Sequence, residues 1–137
     1  LFLHRRGKGA EARLLGWAMA GTVAVEHAAK LIFRRPRPRL HPEVLAPPAD
    51  WSFPSAHAAQ ITAFCLCLCL IALRVLPGRP ALPAVLPAIV LIALVAFSRI
   101  YLQVHYPTDV LAGMALATVV VALAARLLLS TRRDDAQ

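Results

Sequence analysis

The sequence predicts an all-α fold, a transmembrane helical bundle with four spanning helices. Three observations predict it. Apolar residues make up 59% of the 137-residue chain and charged residues only 16%, against roughly 45–50% and about 25% in soluble domains. The apolar excess is gathered into four long blocks, each near the roughly 20 residues that cross about 30 Å of hydrocarbon. None of the blocks alternates as a barrel strand would, and open strands leave backbone groups unsatisfied in lipid, so the spans are expected as helices. The length suits one domain, residues 1–137.

The first span runs from Ala12 to Phe33 and is the weakest, because Glu26, His27 and Lys30 lie near its end. The second, Ala56 to Leu76, holds Cys65, Cys67 and Cys69. Three cysteines alternating within one helix suit neither a disulfide framework nor a zinc site, which draws ligands from two segments. They are expected as small apolar filler. The third span, Ala81 to Leu102, opens with Pro83 and Pro87, and the fourth runs from Thr108 to Leu129. The C-terminal TRRDDAQ is expected as a frayed tail. The chain begins without Met and shows no cleavable signal peptide, so an N-terminal part is expected to be missing.

Four spans put the loop from Arg34 to Ser55 and the corner from Val104 to Pro107 on one side. The Pro77-Gly78-Arg79-Pro80 turn and both termini fall on the other. Arg5, Arg6, Lys8, Arg74, Arg79, Arg126, Arg132 and Arg133 mark that second side as cytoplasmic. Arg34, Arg35, Arg37 and Arg39 break the rule and need another task. The net charge of +8 invites a nucleic-acid reading. The basic residues lie between membrane-length spans, however, so no nucleic-acid partner is expected.

Polar residues that lipid cannot explain cluster at three places on the first side. Lys30, Arg37 and Pro38 lie where the first helix ends. Pro54, Ser55, Ala56 and His57 open the second. Ser98 and Arg99 close the third, and His105 and Asp109 straddle the corner into the fourth. Ionisable groups at membrane depth are costly and usually functional. Lys30, Arg37 and Arg99 together can neutralise a dianion, and arginine offers forked donors that match phosphate oxygens. Ser55 stands where it can cap the second helix, whose free N–H groups favour an anion. Asp109, four residues after His105, can accept from one imidazole nitrogen and leave the other as a nucleophile. His57 then serves as acid, and afterwards as base for water. The cations stabilise the equatorial oxygens in the transition state, so no metal and no cofactor is expected.

These residues form a known pattern. Residues 30–38, KLIFRRPRP, read Lys-x6-Arg-Pro; residues 54–57 read PSAH; residues 98–109, SRIYLQVHYPTD, read Ser-Arg-x5-His-x3-Asp. The pattern resembles the three-part signature of the type 2 phosphatidic acid phosphatase superfamily, over more than half of the chain. The resemblance implies a metal-independent hydrolase of phosphate or diphosphate monoesters on membrane lipids, acting through a phosphohistidine. It implies His105 as nucleophile, Asp109 as its partner and His57 as acid. Lys30, Arg37, Ser55, Ala56, Ser98 and Arg99 would bind phosphate. The family usually has glycine where this chain has Ala56. The N–H survives, but a methyl is added near the pocket. Membrane members typically have six spans with the motifs on the last four, so this chain would be the C-terminal part of one. In bacterial members the active site usually faces away from the cytoplasm of the cell membrane. Polyprenyl diphosphate such as undecaprenyl diphosphate, phosphatidic acid and phosphatidylglycerophosphate are the candidate substrates.

Blander readings stand beside these. Lys30 can pair with Glu26 one helical turn earlier. Arg34, Arg35 and Arg39 read as headgroup charges, His27 as a structural helix residue and His41 as a loop residue. Trp51, Phe53, Tyr101 and Tyr106 read as interfacial anchors. Phosphotransfer between lipids by the same intermediate, and a non-catalytic protein that binds anionic lipid, are the competing functions. The complete set of His57, His105 and Asp109 argues against a mere binder. Oligomeric state is left open.

Overall fold

The computed structural model describes residues 9–38, 49–76 and 82–134. The described chain is helical, with α1 over Gly9–Phe33, α2 over Ala56–Val75, α3 over Leu82–Tyr101 and α4 over Pro107–Asp134. The expected spans are therefore found within a few residues of their expected ends. Helix α4 runs on to Asp134, past the last apolar residue and into the expected tail.

Three of the four helices are long and apolar enough to cross a membrane: α2, α3 over Pro83–Tyr101, and α4 over Pro107–Leu128. Helix α1 has the length but not the apolarity, which corrects the expectation of four such spans. Its charges explain the difference. Glu11, Thr22, Glu26 and Lys30 lie on its buried stripe together with Ala10, Leu14 and Ala18. At a spacing of about 3.6 residues per turn these positions share one face, so the buried stripe of α1 carries charged and polar groups alongside its small apolar ones.

Helices α1, α2 and α4 pack on one another as a triangle, whereas α3 leans on α2 and meets α4 only sparsely. The core of the triangle is built mostly from small residues: Ala10 and Ala18 of α1 with Leu14, Ala59, Ala63 and Cys67 of α2 with Ile71, and Ala117 of α4 with Val121. Small side chains let helix backbones approach where lipid offers no hydrophobic drive for association. The closest approach is at Gly113, where a Cβ would stand 2.5 Å from the Ser55 carbonyl oxygen. All three cysteines are free, with Cys65 and Cys67 buried, in keeping with filler.

Two helix ends steer the chain toward the site. Arg34, just past α1, has φ 44°, and its N–H bonds the Lys30 carbonyl at 3.1 Å. Gln103, just past α3, has φ 56°, and the next N–H, of Val104, returns to the Arg99 carbonyl. Both are left-handed terminations of the kind glycine usually supplies.

Candidate active site

The loops and helix ends expected on one side meet at one end of the bundle. His105 lies in the corner between α3 and α4, and Asp109 in the first turn of α4; both are buried. Pro107 takes the first helical position of α4, where its missing N–H costs nothing. The Asp109 carboxylate reaches back to the Tyr106 N–H at 2.9 Å, the reciprocal arm of a capping box. The fold thus uses the acid to start the helix that carries it.

The expected direct bond between His105 and Asp109 is absent. Their closest atoms, Nδ1 and Oδ2, are 3.7 Å apart, beyond hydrogen-bond length. Ser52 stands between them. Its hydroxyl donates to Asp109 Oδ2 and lies 3.5 Å from His105 Nδ1. With the proton on Nδ1, the chain of bonds runs from imidazole to hydroxyl to carboxylate, and Nε2 is left with its lone pair. Burial, and then the Arg37 charge, push the His105 pKa down to about 4. The imidazole is therefore neutral near pH 7, the form a nucleophile requires.

Lys30 and Arg37 come together across Asp50. Lys30 Nζ donates to the Asp50 carboxylate and to the Trp51 carbonyl at 2.9 Å. Its bonds run forward to this loop rather than back to Glu26. Arg37 donates through Nη2 to the Asp50 carboxylate and through Nε to the Asp50 carbonyl at 3.1 Å. Its Nη1 donates to the Val104 carbonyl at 2.6 Å and lies 3.4 Å from His105 Nε2. A guanidinium thus borders the free imidazole nitrogen. Burial pushes the Asp50 carboxyl up, but the bonds from Lys30 and Arg37 outweigh it and hold the group below the usual carboxylate range.

The second motif joins through its backbone. The Ser55 N–H donates to the Asp109 carbonyl at 3.0 Å, which ties the start of α2 to α4. Ser55 takes the N-cap position, but its hydroxyl makes no capping bond; it is buried without a partner. That corrects the expected side-chain cap. Ala56 is the first residue of α2 and half-buried. A right-handed helical residue needs no glycine, so the methyl is accommodated by the local backbone. His57 follows, exposed, and feels the charges of Arg99, Lys30 and Arg37.

Ser98 and Arg99 close α3. The Arg99 Nε donates to the Ser98 hydroxyl at 3.1 Å, and that hydroxyl donates to the Val95 carbonyl at 2.7 Å. These bonds stay within α3. Ser98 and Arg99 are thus placed at the right end of the bundle but not bonded to the other two motifs.

Arg35 departs from its reading as a headgroup charge. It donates to Thr108 Oγ1 and to Asp109 Oδ1, each at 2.7 Å, and its guanidinium lies 4.0 Å from the centre of the Tyr106 ring. Its carbonyl accepts from the Ser52 N–H at 2.8 Å. One residue thereby clamps the loop after α1 onto the start of α4, and Tyr106 serves as its platform rather than as an anchor. Phe53 packs edge-on against Phe33, with centroids 4.8 Å apart, which seals the loop against the end of α1. Arg39 and His41 lie outside the described residues.

A sequence model of the PAP2 superfamily matches residues 11–133. The chain belongs to the PAP2 superfamily. A decaprenylphosphoryl-5-phosphoribose phosphatase of Mycobacterium tuberculosis is 43% identical to it, over 78% of this chain and 58% of its own length. A protein of the same name from Mycolicibacterium smegmatis is 39% identical, over 74% of this chain and 54% of its own length. The chain thus spans a little over half the length of these relatives. No solved structure matches it. Ser52, Asp50 and Arg35 are not specified by the three PAP2 motifs. The first two precede PSAH, and the third falls among the unspecified positions of Lys-x6-Arg-Pro.

Proposed function

We propose that the chain carries the catalytic centre of a membrane lipid phosphatase that works through a phosphohistidine on His105. The observation that carries the reading is the setting of His105. Its Nδ1 side is tied through Ser52 to Asp109, and its Nε2 side faces Arg37. A binder of anions has no use for an oriented neutral imidazole, whereas a nucleophile needs one.

In the first step Nε2 attacks phosphorus and the bond from phosphorus to the ester oxygen of the leaving alcohol breaks. His57 gives that oxygen its proton. In the second step water attacks phosphorus, His57 takes the proton of the water, and the Nε2–P bond breaks to release phosphate. Asp109, through Ser52, stabilises the positive charge that His105 acquires in the attack. Lys30, Arg37, Arg99 and the unpartnered Ser55 hydroxyl donate to the equatorial oxygens.

The relatives' name narrows the substrate class to a phosphate monoester on a sugar borne by a polyprenyl phosphate. Its chain would lie among the apolar helices, with the headgroup at the end where the motifs meet. The distribution of basic residues supports an extracytoplasmic position for that end in the cell membrane.

The test is phosphate release by the full-length protein in detergent with EDTA. The panel is a polyprenyl-linked sugar phosphate, a polyprenyl diphosphate and phosphatidic acid. Release from the sugar phosphate, lost in His105→Ala, is the expected result. Equal release by His105→Ala would remove the nucleophile assignment. Release from the diphosphate or phosphatidic acid alone would overturn the substrate class.

A further inference from the structure

Asp50 is not among the residues the mechanism uses, yet it holds two of them. One carboxylate oxygen takes the Lys30 ammonium and the other the Arg37 Nη2. The two cations are walled in, at 4% and 9% side-chain exposure, while the Asp50 side chain is 48% exposed. The acid therefore lies on the open rim of the site with the cations behind it.

The donor count sharpens the point. Arg37 Nε is held by the Asp50 carbonyl, and Nη1 by the Val104 carbonyl beside His105 Nε2. One Lys30 proton is held by the Trp51 carbonyl. Of the donors these backbone carbonyls leave, the Asp50 carboxylate takes one from Lys30 and one from Arg37 Nη2. Carboxylate and phosphoryl oxygens seek the same forked donors. Two anions cannot share them, because each adds its charge to the other's in a partly buried site. A phosphoryl group that takes the same Lys30 Nζ and Arg37 Nη2 donors displaces the Asp50 side chain. Rotation about the Asp50 side-chain bonds turns the carboxylate to water, while its backbone carbonyl stays on Arg37 Nε.

We propose that Asp50 is an internal competitor for the phosphoryl group, and so sets how tightly substrate and product phosphate are held. The proposal rests on the reading of Lys30 and Arg37 as the phosphate cradle. In it, Asp50 keeps two like charges together, gives way to the substrate and returns to expel inorganic phosphate. The competing role is a permanent tether, in which Asp50 orients the two cations during turnover and never leaves them. The two roles demand opposite results.

The experiment uses full-length protein in detergent, as wild type, Asp50→Asn and Asp50→Glu. Two readouts are taken: the inhibition constant of inorganic phosphate during lipid hydrolysis, and the rise in melting temperature on adding inorganic phosphate. An internal competitor predicts a phosphate inhibition constant lower by about tenfold or more in Asp50→Asn, with KM lowered and kcat reduced by slow product release. Asp50→Glu, which keeps the charge, stays near wild type. An unchanged or raised inhibition constant in Asp50→Asn, with KM raised, would overturn the proposal in favour of the tether. The melting readout needs no turnover, so the two readings fail separately. If phosphate stabilises Asp50→Asn more than wild type but no lipid is hydrolysed, the competitor stands and the phosphatase reading falls. If Asp50→Asn does not fold, Asp50→Glu decides. Its longer carboxylate should leave phosphate affinity within a few-fold of wild type under competition, and a large loss of affinity would count for the tether.

Discussion

The two sides of the site are built differently. The ends of α1, α2 and α4 are stitched by cross-chain bonds: Ser55 N–H to the Asp109 carbonyl, Arg35 to Asp109, Ser52 to Asp109, and Arg37 to Val104. Asp109 is the common knot, accepting bonds from Tyr106, Ser52 and Arg35 at once. Helix α3, in contrast, has no buried residue along its apolar span, and the Arg99 side chain bonds only within it. Its Leu86, Ile89, Val90, Leu94 and Phe97 are exposed, as lipid-facing side chains should be. His105 and two cations thus sit on a fixed frame, and the third cation, Arg99, rides on a helix held on one flank. Under the proposed mechanism, precision is concentrated around the attacking imidazole, and α3 would supply charge, which tolerates looser placement.

This contrast can be pressed from both sides. The largest expected effect is at the knot. Asp109→Asn should lower kcat by roughly 10²–10⁴-fold, because the amide cannot support the His105 charge and its NH₂ faces the donors of Ser52 and Arg35. Steady-state kinetics on folded protein would show it; a loss under threefold would mean that the frame does not orient His105. Next comes the looser side. Arg99→Ala removes one donor to the developing charge, a loss of about 10²–10³-fold in kcat. Melting temperature should stay close to wild type, since the Arg99 side chain bonds nothing outside its own helix.

Packing follows. Gly113→Ala forces a methyl against the Ser55 carbonyl and should cost about 1–3 kcal/mol of stability, read by thermal melting in detergent. A neutral outcome would show that α2 and α4 are not held as closely as the frame requires. A pH effect of similar kind belongs to His105. Its folded pKa of about 4 lies below the unfolded value of about 6.5, so the unfolded chain binds the proton more readily. Its contribution is complete above the unfolded value and is lost as pH falls from there toward the folded one. Melting temperatures across that window should fall, and His105→Asn should flatten the fall. The smallest effect is on the lipid face of α3. Leu94→Ala should change stability by less than about 0.5 kcal/mol, measured by the same melt. A larger loss would mean that α3 is packed against something on that face.

The helices and the motif residues were legible because their signals are local. Apolar length announces a span, and KxxxxxxRP, PSAH and SRxxxxxHxxxD announce their residues in order. What was not legible lies between segments. Ser52 reads as a plain loop serine, and only the meeting of two chain segments places it between His105 and Asp109. Arg35 is one of four arginines in a short stretch, and nothing in its spelling separates it from Arg34, which is exposed and bonds only the Leu31 carbonyl. Asp50 had a faint signal, being one of two acids, with Glu43, in a loop of four arginines. An acid retained among so many cations asks which of them it neutralises. The charges of α1, Glu26 and Lys30 among them, mark a weak span in the sequence, but only the packing against α2 and α4 shows that they lie on its buried stripe.

The central claim is that His105 Nε2 becomes bonded to phosphorus. Rapid quenching of full-length protein with a lipid substrate labelled in its phosphate, followed by digestion and peptide mapping, tests it most directly. The account predicts a label that is stable in base, lost in acid and confined to the peptide bearing His105, accumulating further in a His57→Asn protein whose second step is slowed. Turnover without any label at His105, in a protein quenched within the first cycle, would contradict it and point to direct attack by water.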